Sequence, residues 1–122
     1  MKFCHVTLTV RDLDASVRFY TRVVGLSIDR RYQAGPDTEI AFLGSGETKI
    51  ELICHKNQPD ATIGNGVSIG FEVSALSEKL DSLNGTDIPV TSGIIQPNPY
   101  VRFFYVADPD GFRVQFLENL NP

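Results

Sequence analysis

The stretch CHVTLTVRDL, residues 4–13, returns in altered form as VSIGFEVSAL at residues 67–76. Alternating apolar and polar residues at the start of each copy indicate a β-strand. When His5 is aligned with Ser68, the apolar positions that follow also coincide, at the i, i+4, i+7 spacing of an amphipathic helix. These positions are Leu13, Val17 and Tyr20 in the first copy and Leu76, Leu80 and Leu83 in the second. The repeat therefore predicts two equivalent halves, each beginning with a strand and a helix.

The second part of each copy corresponds as well. IAFLGSGETKIELIC at residues 40–54 matches FFYVADPDGFRVQFL at residues 103–117, and each reads as two strands joined by a glycine-containing turn. Glu51 then lies opposite Gln115, provided that the second copy has one extra residue in a turn or loop. Two less regular segments are predicted to be strands, and four small polar residues are candidate helix N-caps. The segments are residues 27–32 and 88–95, and the cap candidates are Asp12 or Asp14 and Ser74 or Ser77.

The predicted fold is therefore α+β, with two β-α-β-β-β modules in one domain, residues 1–122. The modules span residues 1–55 and 67–122, and the polar, Pro- and Gly-containing residues 56–66 form the linker between them.

Composition limits the functions that the chain can have. It has 122 residues, 42% hydrophobic and 21% charged, with a formal net charge of −4, which gives no reason to expect binding to nucleic acid or to an anionic membrane. It shows neither an apolar run of membrane-spanning length nor a signal peptide, so a cytoplasmic location is expected. Cys4 and Cys54 do not make a disulfide framework, and their strand phase predicts small buried hydrophobic residues rather than metal ligands.

Strand alternation places one polar residue of each duplicated strand on the face of the sheet away from the helix. These residues are His5, Glu51, Ser68 and Gln115. We expect the two sheets to curl around a central cavity on this side, although a simply solvated face would give the same alternation. The residues predicted to line the pocket are Thr7, Thr9, Ser68, Arg113 and Phe104.

Two segments, HVTLTVRDLDASVRFYTRVVGLSI at residues 5–28 and DPDGFRVQFLE at residues 108–118, together resemble the vicinal oxygen chelate superfamily. This superfamily includes glyoxalase I, extradiol dioxygenases and bleomycin-binding proteins. The resemblance covers essentially the whole chain and implies paired modules around a divalent metal bound from four strands. It also implies a homodimer, as is common among small members.

The resemblance implies a metal site that is incomplete in this chain. His5 and Glu51 match good ligands and Gln115 matches a position where glutamate is usual, whereas Ser68, at the fourth position, is not expected to ligate. The metal expected is nickel or zinc rather than manganese or iron, unless none is bound. Glu51 and Glu72 are the candidate catalytic bases, because the glyoxalase reaction moves a proton between adjacent carbons.

Two functions remain open from the sequence. The first is a glyoxalase I-like, lactoylglutathione lyase-related protein that acts on or binds a small organic molecule. Thr9 stands where glyoxalases tend to have an arginine for the glutathione carboxylate, so the use of glutathione is open. The alternative is a metal-free protein that sequesters a small molecule, as bleomycin-resistance proteins do, in a pocket lined by aromatic residues.

Overall fold

A computed structural model describes residues 1–46, 48–57 and 66–121 of the chain. The chain divides into two compact units, Met1–Thr62 and Ile63–Pro122. Most of the predicted linker, residues 58–65, lies outside the described residues.

The first unit contains one helix and a four-stranded mixed sheet. Its elements are β1 (His5–Thr9), α1 (Leu13–Arg18) with a π-helical continuation (Phe19–Val23), β2 (Ile28–Gln33), β3 (Thr38–Leu43) and β4 (Lys49–His55). The strand order is β1-β4-β3-β2, in which β1 runs parallel to β4 and the other pairs are antiparallel. A β-α-β-β-β order with this pairing brings the first and last strands side by side.

The second unit repeats this arrangement. Its elements are β5 (Ser68–Glu72), α2 (Leu76–Ser82), β6 (Ile95–Asn98), β7 (Val101–Ala107) and β8 (Arg113–Asn119). The strand order is β5-β8-β7-β6, again with the first and last strands parallel. The predicted two-module fold is therefore confirmed.

The predicted apolar stripes pack on one face of each sheet. Leu13, Val17 and Tyr20 are buried, as are Leu76 and Leu83, while Leu80 is half-buried. Each helix packs on its own sheet and covers apolar residues of the central strands. These residues include Ala41, Leu43, Ile50 and Leu52 in the first unit and Phe104, Val106, Val114 and Phe116 in the second. The opposite face of each sheet is called here the helix-free face.

The two helices begin in different ways. Asp12 is the N-cap of α1, and its Oδ1 accepts a hydrogen bond from the Ala15 backbone N–H at 3.2 Å. The prediction of a serine cap for α2 is wrong, because Ala75 occupies that position. The Leu76 N–H instead donates to Glu118 Oε1 at 2.7 Å, so the neighbouring strand satisfies the end of α2.

The prediction of a strand over residues 88–95 is also wrong. Only Val90 forms an isolated bridge, to Val106, and strand β6 begins at Ile95. Around this bridge the Thr91 N–H donates to the Tyr105 carbonyl and the Ala107 N–H to the Pro89 carbonyl, but Pro89 has no N–H with which to extend the pairing.

The cysteines are less buried than predicted. Cys4 is exposed and lies just before the first residue of β1. Cys54 is half-buried, with its thiol 3.5 Å from the Arg11 carbonyl oxygen. The prediction of two buried cysteines is therefore wrong for Cys4.

Candidate functional site

The helix-free face of the first sheet brings three polar side chains together. The parallel pairing of β1 with β4 places Thr7 directly beside Glu51 and His5 beside Lys49. The Thr7 hydroxyl donates a hydrogen bond to Glu51 Oε1 at 2.5 Å, and His5 Nε2 lies 3.6 Å from the same oxygen. The Glu51 side chain is 15% exposed and that of His5 is 38% exposed, so both remain reachable. A carboxylate is thus fixed between an imidazole and a hydroxyl.

An aromatic ring and a cation continue this arrangement across the sheet. The Phe42 ring meets the His5 imidazole edge to face, with centroids 5.4 Å apart. The Arg30 guanidinium carbon lies 4.4 Å from the centroid of the Phe42 ring and 5.8 Å from that of Tyr32. Lys49 is neutralised by Asp29, with Nζ 2.9 Å from Oδ2.

The equivalent face of the second unit has different side chains at the positions of His5, Thr7 and Glu51. Its parallel register pairs Gly70 with Gln115 and Ser68 with Arg113, so Gly70 stands where the first unit has Thr7. A Cβ atom at Gly70 would meet Gln115 Oε1 at 2.9 Å, which means that the glutamine lies directly over the glycine. Gln115 Nε2 donates to the Tyr105 hydroxyl at 3.3 Å. The carboxylate, its hydroxyl partner and the imidazole of the first unit are all absent from these equivalent positions.

The remaining predicted site residues fall in different environments. Thr9 is half-buried on the helix-free face, opposite Ile53, and Ser68 is exposed at the start of β5. Glu72 is exposed and accepts a hydrogen bond from Asn119 Nδ2 at 2.6 Å. The Arg113 guanidinium carbon lies 4.4 Å from the centroid of the Tyr105 ring.

Phe104 does not line the helix-free face. It is fully buried and packs against Phe116, its cross-strand neighbour, with ring centroids 5.6 Å apart. Both rings belong to the face that α2 covers, because side chains on a strand alternate and Tyr105 takes the other side. The prediction that Phe104 lines the helix-free pocket is therefore corrected: within its unit it is a core residue.

Sequence reasoning overlooked Arg30. It occupies the helix-free side of β2, whereas Arg31, the next residue, points to the helix side. Strand alternation on β2 places Arg30 and Arg31 on opposite faces of the sheet. It does not predict which face each one takes, because the bulge between Ile28 and Arg30 shifts the side-chain phase of a regular strand.

A concavity lies on the helix side of the first unit, with a volume of about 320 Å³. Arg31 in its lining is paired with two carboxylates: its guanidinium lies 2.6 Å from Asp14 Oδ1 and 2.9 Å from Glu39 Oε2. The hydrogen bond from Arg31 holds the pKa of Asp14 below its ordinary value, and the hydrogen bond to Glu39 raises the pKa of Arg31. These ion pairs account for three of the charged residues that line the concavity, Arg31, Asp14 and Glu39.

A divalent metal such as zinc is usually held by three or four protein donors. Within residues 1–46, 48–57 and 66–121, no group of three histidine, cysteine or acidic side chains could hold a metal ion. His5 Nε2 and Glu51 Oε1 nevertheless fit as two donors, since ligands at about 2.0–2.2 Å from one ion lie roughly this far apart. The first unit thus supplies two of the donors that a divalent cation needs.

The sequence matches the family model of the Glyoxalase/Bleomycin resistance protein/Dioxygenase superfamily over residues 2–116. The chain belongs to this superfamily. Among its relatives, the uncharacterized protein YwbC of Bacillus subtilis is 32% identical over 121 residues, an alignment that covers 93% of this chain and 94% of YwbC. A probable lactoylglutathione lyase of Vibrio cholerae is 30% identical over 131 residues, covering 97% of this superfamily member and 91% of the relative.

Solved structures of the superfamily share the fold. The structure of Leishmania major glyoxalase I matches with a TM-score of 0.83 at 24% identity, covering 97% of this chain and 86% of that one. A glyoxalase family protein from Bacillus cereus matches with a TM-score of 0.85 at 18% identity, covering 99% and 95%. No helix among the described residues is long and apolar enough to cross a membrane.

Proposed function

We propose that this superfamily member is a glyoxalase I-like lyase that isomerises the hemithioacetal of a small 2-oxoaldehyde. The observation that carries the proposal is the placement of Glu51 between His5 and the Thr7 hydroxyl. The lactoylglutathione lyases among the relatives support the reaction class.

The proposed chemistry needs one positioned carboxylate. A hemithioacetal becomes the thioester of a 2-hydroxy acid when two protons move. The proton on the sulfur-bearing carbon goes to the neighbouring carbonyl carbon, and the hydroxyl proton of the sulfur-bearing carbon goes to the former carbonyl oxygen. One base takes the carbon-bound proton and returns it one atom further along, and because both protons end on the product, no oxidant or reductant is consumed. Thr7 holds Oε1 of Glu51, and no described residue donates a hydrogen bond to Oε2. We infer that Oε2 is the atom that moves the proton.

A divalent cation, nickel or zinc, would be held by His5 and Glu51. When bound, it would supply a Lewis acid that polarises the oxygens of the substrate. That Gln115 is a further donor, and that Ser68 is not a ligand, are inferences from the family resemblance and stay predictions. The single domain over residues 1–122, the central cavity, the homodimer and a cytoplasmic location stay predictions as well.

Glu72 is the competing candidate for the base, and it is less favoured. Asn119 binds its Oε2, and its β5 position is paired with Leu117 rather than with Gln115. The variants Glu51→Gln and Glu72→Gln separate the two. We expect Glu51→Gln to lower kcat by about 10²–10⁴-fold, the usual contribution of a general base, and Glu72→Gln to change it less than about threefold.

The first experiment is a calorimetric titration of chelator-stripped protein with Ni²⁺, Zn²⁺ and Mn²⁺, followed by assay of hemithioacetal turnover with each metal. His5→Ala is the test variant and His55→Ala the matched control, since His55 is bound by Thr38 at the end of β4. Micromolar binding and turnover, both lost in His5→Ala and kept in His55→Ala, would support the proposal. Stoichiometric binding of a small organic ligand with neither metal affinity nor turnover would instead favour a metal-free sequestering protein.

A further inference from the structure

Two consecutive arginines on β2, Arg30 and Arg31, have different side-chain partners. Arg31, on the helix side of the sheet, is held by Asp14 and Glu39. Arg30, on the helix-free side, forms no ion pair or hydrogen bond with any side chain that the structure describes. The chain has 15 acidic and 11 basic residues, so acceptors are plentiful, and yet none among residues 1–46, 48–57 and 66–121 neutralises this guanidinium.

Arg30 is nevertheless held in place. Its guanidinium stacks at 4.4 Å on the centroid of Phe42, a ring that is only 7% exposed. The face of the ring attracts the cation, and this contact uses none of the five guanidinium N–H groups as a hydrogen-bond donor to an oxygen. Stacking therefore fixes the cation while its N–H edge stays free to bind a planar anion in a bidentate manner.

Arg30 also lies in line with the candidate reaction centre. The register pairs Arg30 with Phe42, Phe42 with Glu51 and Glu51 with Thr7, so one row crosses all four strands of the sheet. Arg30 is two strands from Glu51, about 10 Å at the backbone. The Phe42 ring contacts both groups: its centroid lies 4.4 Å from the Arg30 guanidinium carbon and 5.4 Å from the centroid of the His5 imidazole. The distance from the guanidinium carbon to the imidazole centroid therefore cannot exceed the sum of these two distances.

We propose that Arg30, stacked on Phe42, is a carboxylate-binding residue that recognises the far end of an extended, anionic substrate. The inference rests on the proposed function for the position of the reacting carbons at Glu51. The separation of two strands implies a thiol adduct whose carboxylate is several bonds from the sulfur, not a short acid. The Arg30–carboxylate contact is a specificity contact: it anchors the substrate and takes no part in proton transfer.

The kinetic test uses methylglyoxal hemithioacetals of mercaptoacetate, 3-mercaptopropanoate and 6-mercaptohexanoate, and of the methyl ester of each acid. Proteins compared are the wild type, Arg30→Gln, Arg30→Lys and Arg22→Gln, the last replacing an exposed arginine outside the sheet. We expect Arg30→Gln to lower kcat/KM for the six-carbon acid by about 10–100-fold, mainly through KM, as for loss of a charged hydrogen bond. The esters should change less than about twofold, Arg30→Lys should be intermediate, and Arg22→Gln should match the wild type.

A binding measurement keeps this inference separate from the proposed function. The unreactive probe 6-(methylthio)hexanoate and its methyl ester are titrated into the same proteins and followed by NMR. Tighter binding of the acid than of the ester, lost in Arg30→Gln, supports the carboxylate site even if no hemithioacetal is turned over, a result that would overturn only the proposed lyase. Equal binding of acid and ester, or unchanged binding in Arg30→Gln, would overturn the carboxylate site even if turnover is observed.

Discussion

The hydrogen bond between Thr7 and Glu51 gives a prediction that can be measured without a substrate. Thr7→Val keeps the shape of the side chain but removes the hydroxyl that donates to Oε1 at 2.5 Å. A hydrogen bond to a charged acceptor contributes about 1.5–3 kcal/mol, but Thr7 is exposed and water replaces part of this. We therefore expect a loss of about 1 kcal/mol in the free energy of unfolding, which lowers Tm by roughly 4 °C in a chain of this size.

A double-mutant cycle isolates the interaction. Thr7→Val, Glu51→Met and the double variant are unfolded with urea beside the wild type, and methionine is chosen because it has no oxygen to accept the bond. The expected coupling energy is about 1 kcal/mol, and Thr9→Val, on the same face of the same strand, should show none. Additivity of the Thr7 and Glu51 changes within about 0.3 kcal/mol would refute the hydrogen bond, and with it the argument that Thr7 fixes the carboxylate.

Three further predictions test other parts of the fold. Because the Leu76 N–H stabilises the charged form of Glu118 and so lowers its pKa, Glu118→Gln should destabilise the protein at neutral pH. The stability difference from the wild type should shrink in urea titrations as the pH falls through that lowered pKa, whereas a constant difference would contradict it. Phe104→Ala should cost about 3–5 kcal/mol in chemical denaturation, as for a core ring, and a cost below about 1 kcal/mol would restore the pocket assignment. Gly70→Ala should cost less than about 1 kcal/mol, because Gln115 can rotate away, and should shift the amide NMR signals of Gln115; unchanged signals would argue against the contact.

Local pattern accounts for most of what the sequence predicted about the fold. The duplicated stripe of Leu13 and Leu76 located both helices, since a 3.6-residue period of apolar residues is visible without knowing what covers it. The pattern failed where a distant partner decides the outcome. The N-terminus of α2 is satisfied by Glu118, 42 residues away, so no nearby serine is needed. Cys4 had the right phase for burial but lies before the first residue of β1, where strand phase alone does not predict burial.

For the site, the sequence by itself determined which residue types stand at equivalent strand positions. The repeat, together with the two-residue period of a β-strand, identified His5, Glu51 and Gln115. It also showed that the second copy has no histidine at the position equivalent to His5. Only the tertiary structure decided which side chains meet. The Thr7 hydroxyl on the Glu51 carboxylate and the guanidinium of Arg30 on the ring of Phe42 depend on strand register. For Thr7 and Glu51 this register is set by hydrogen bonds between strands 44 residues apart. For Arg30 the bulge in β2 shifts the side-chain phase in a way that no local pattern records.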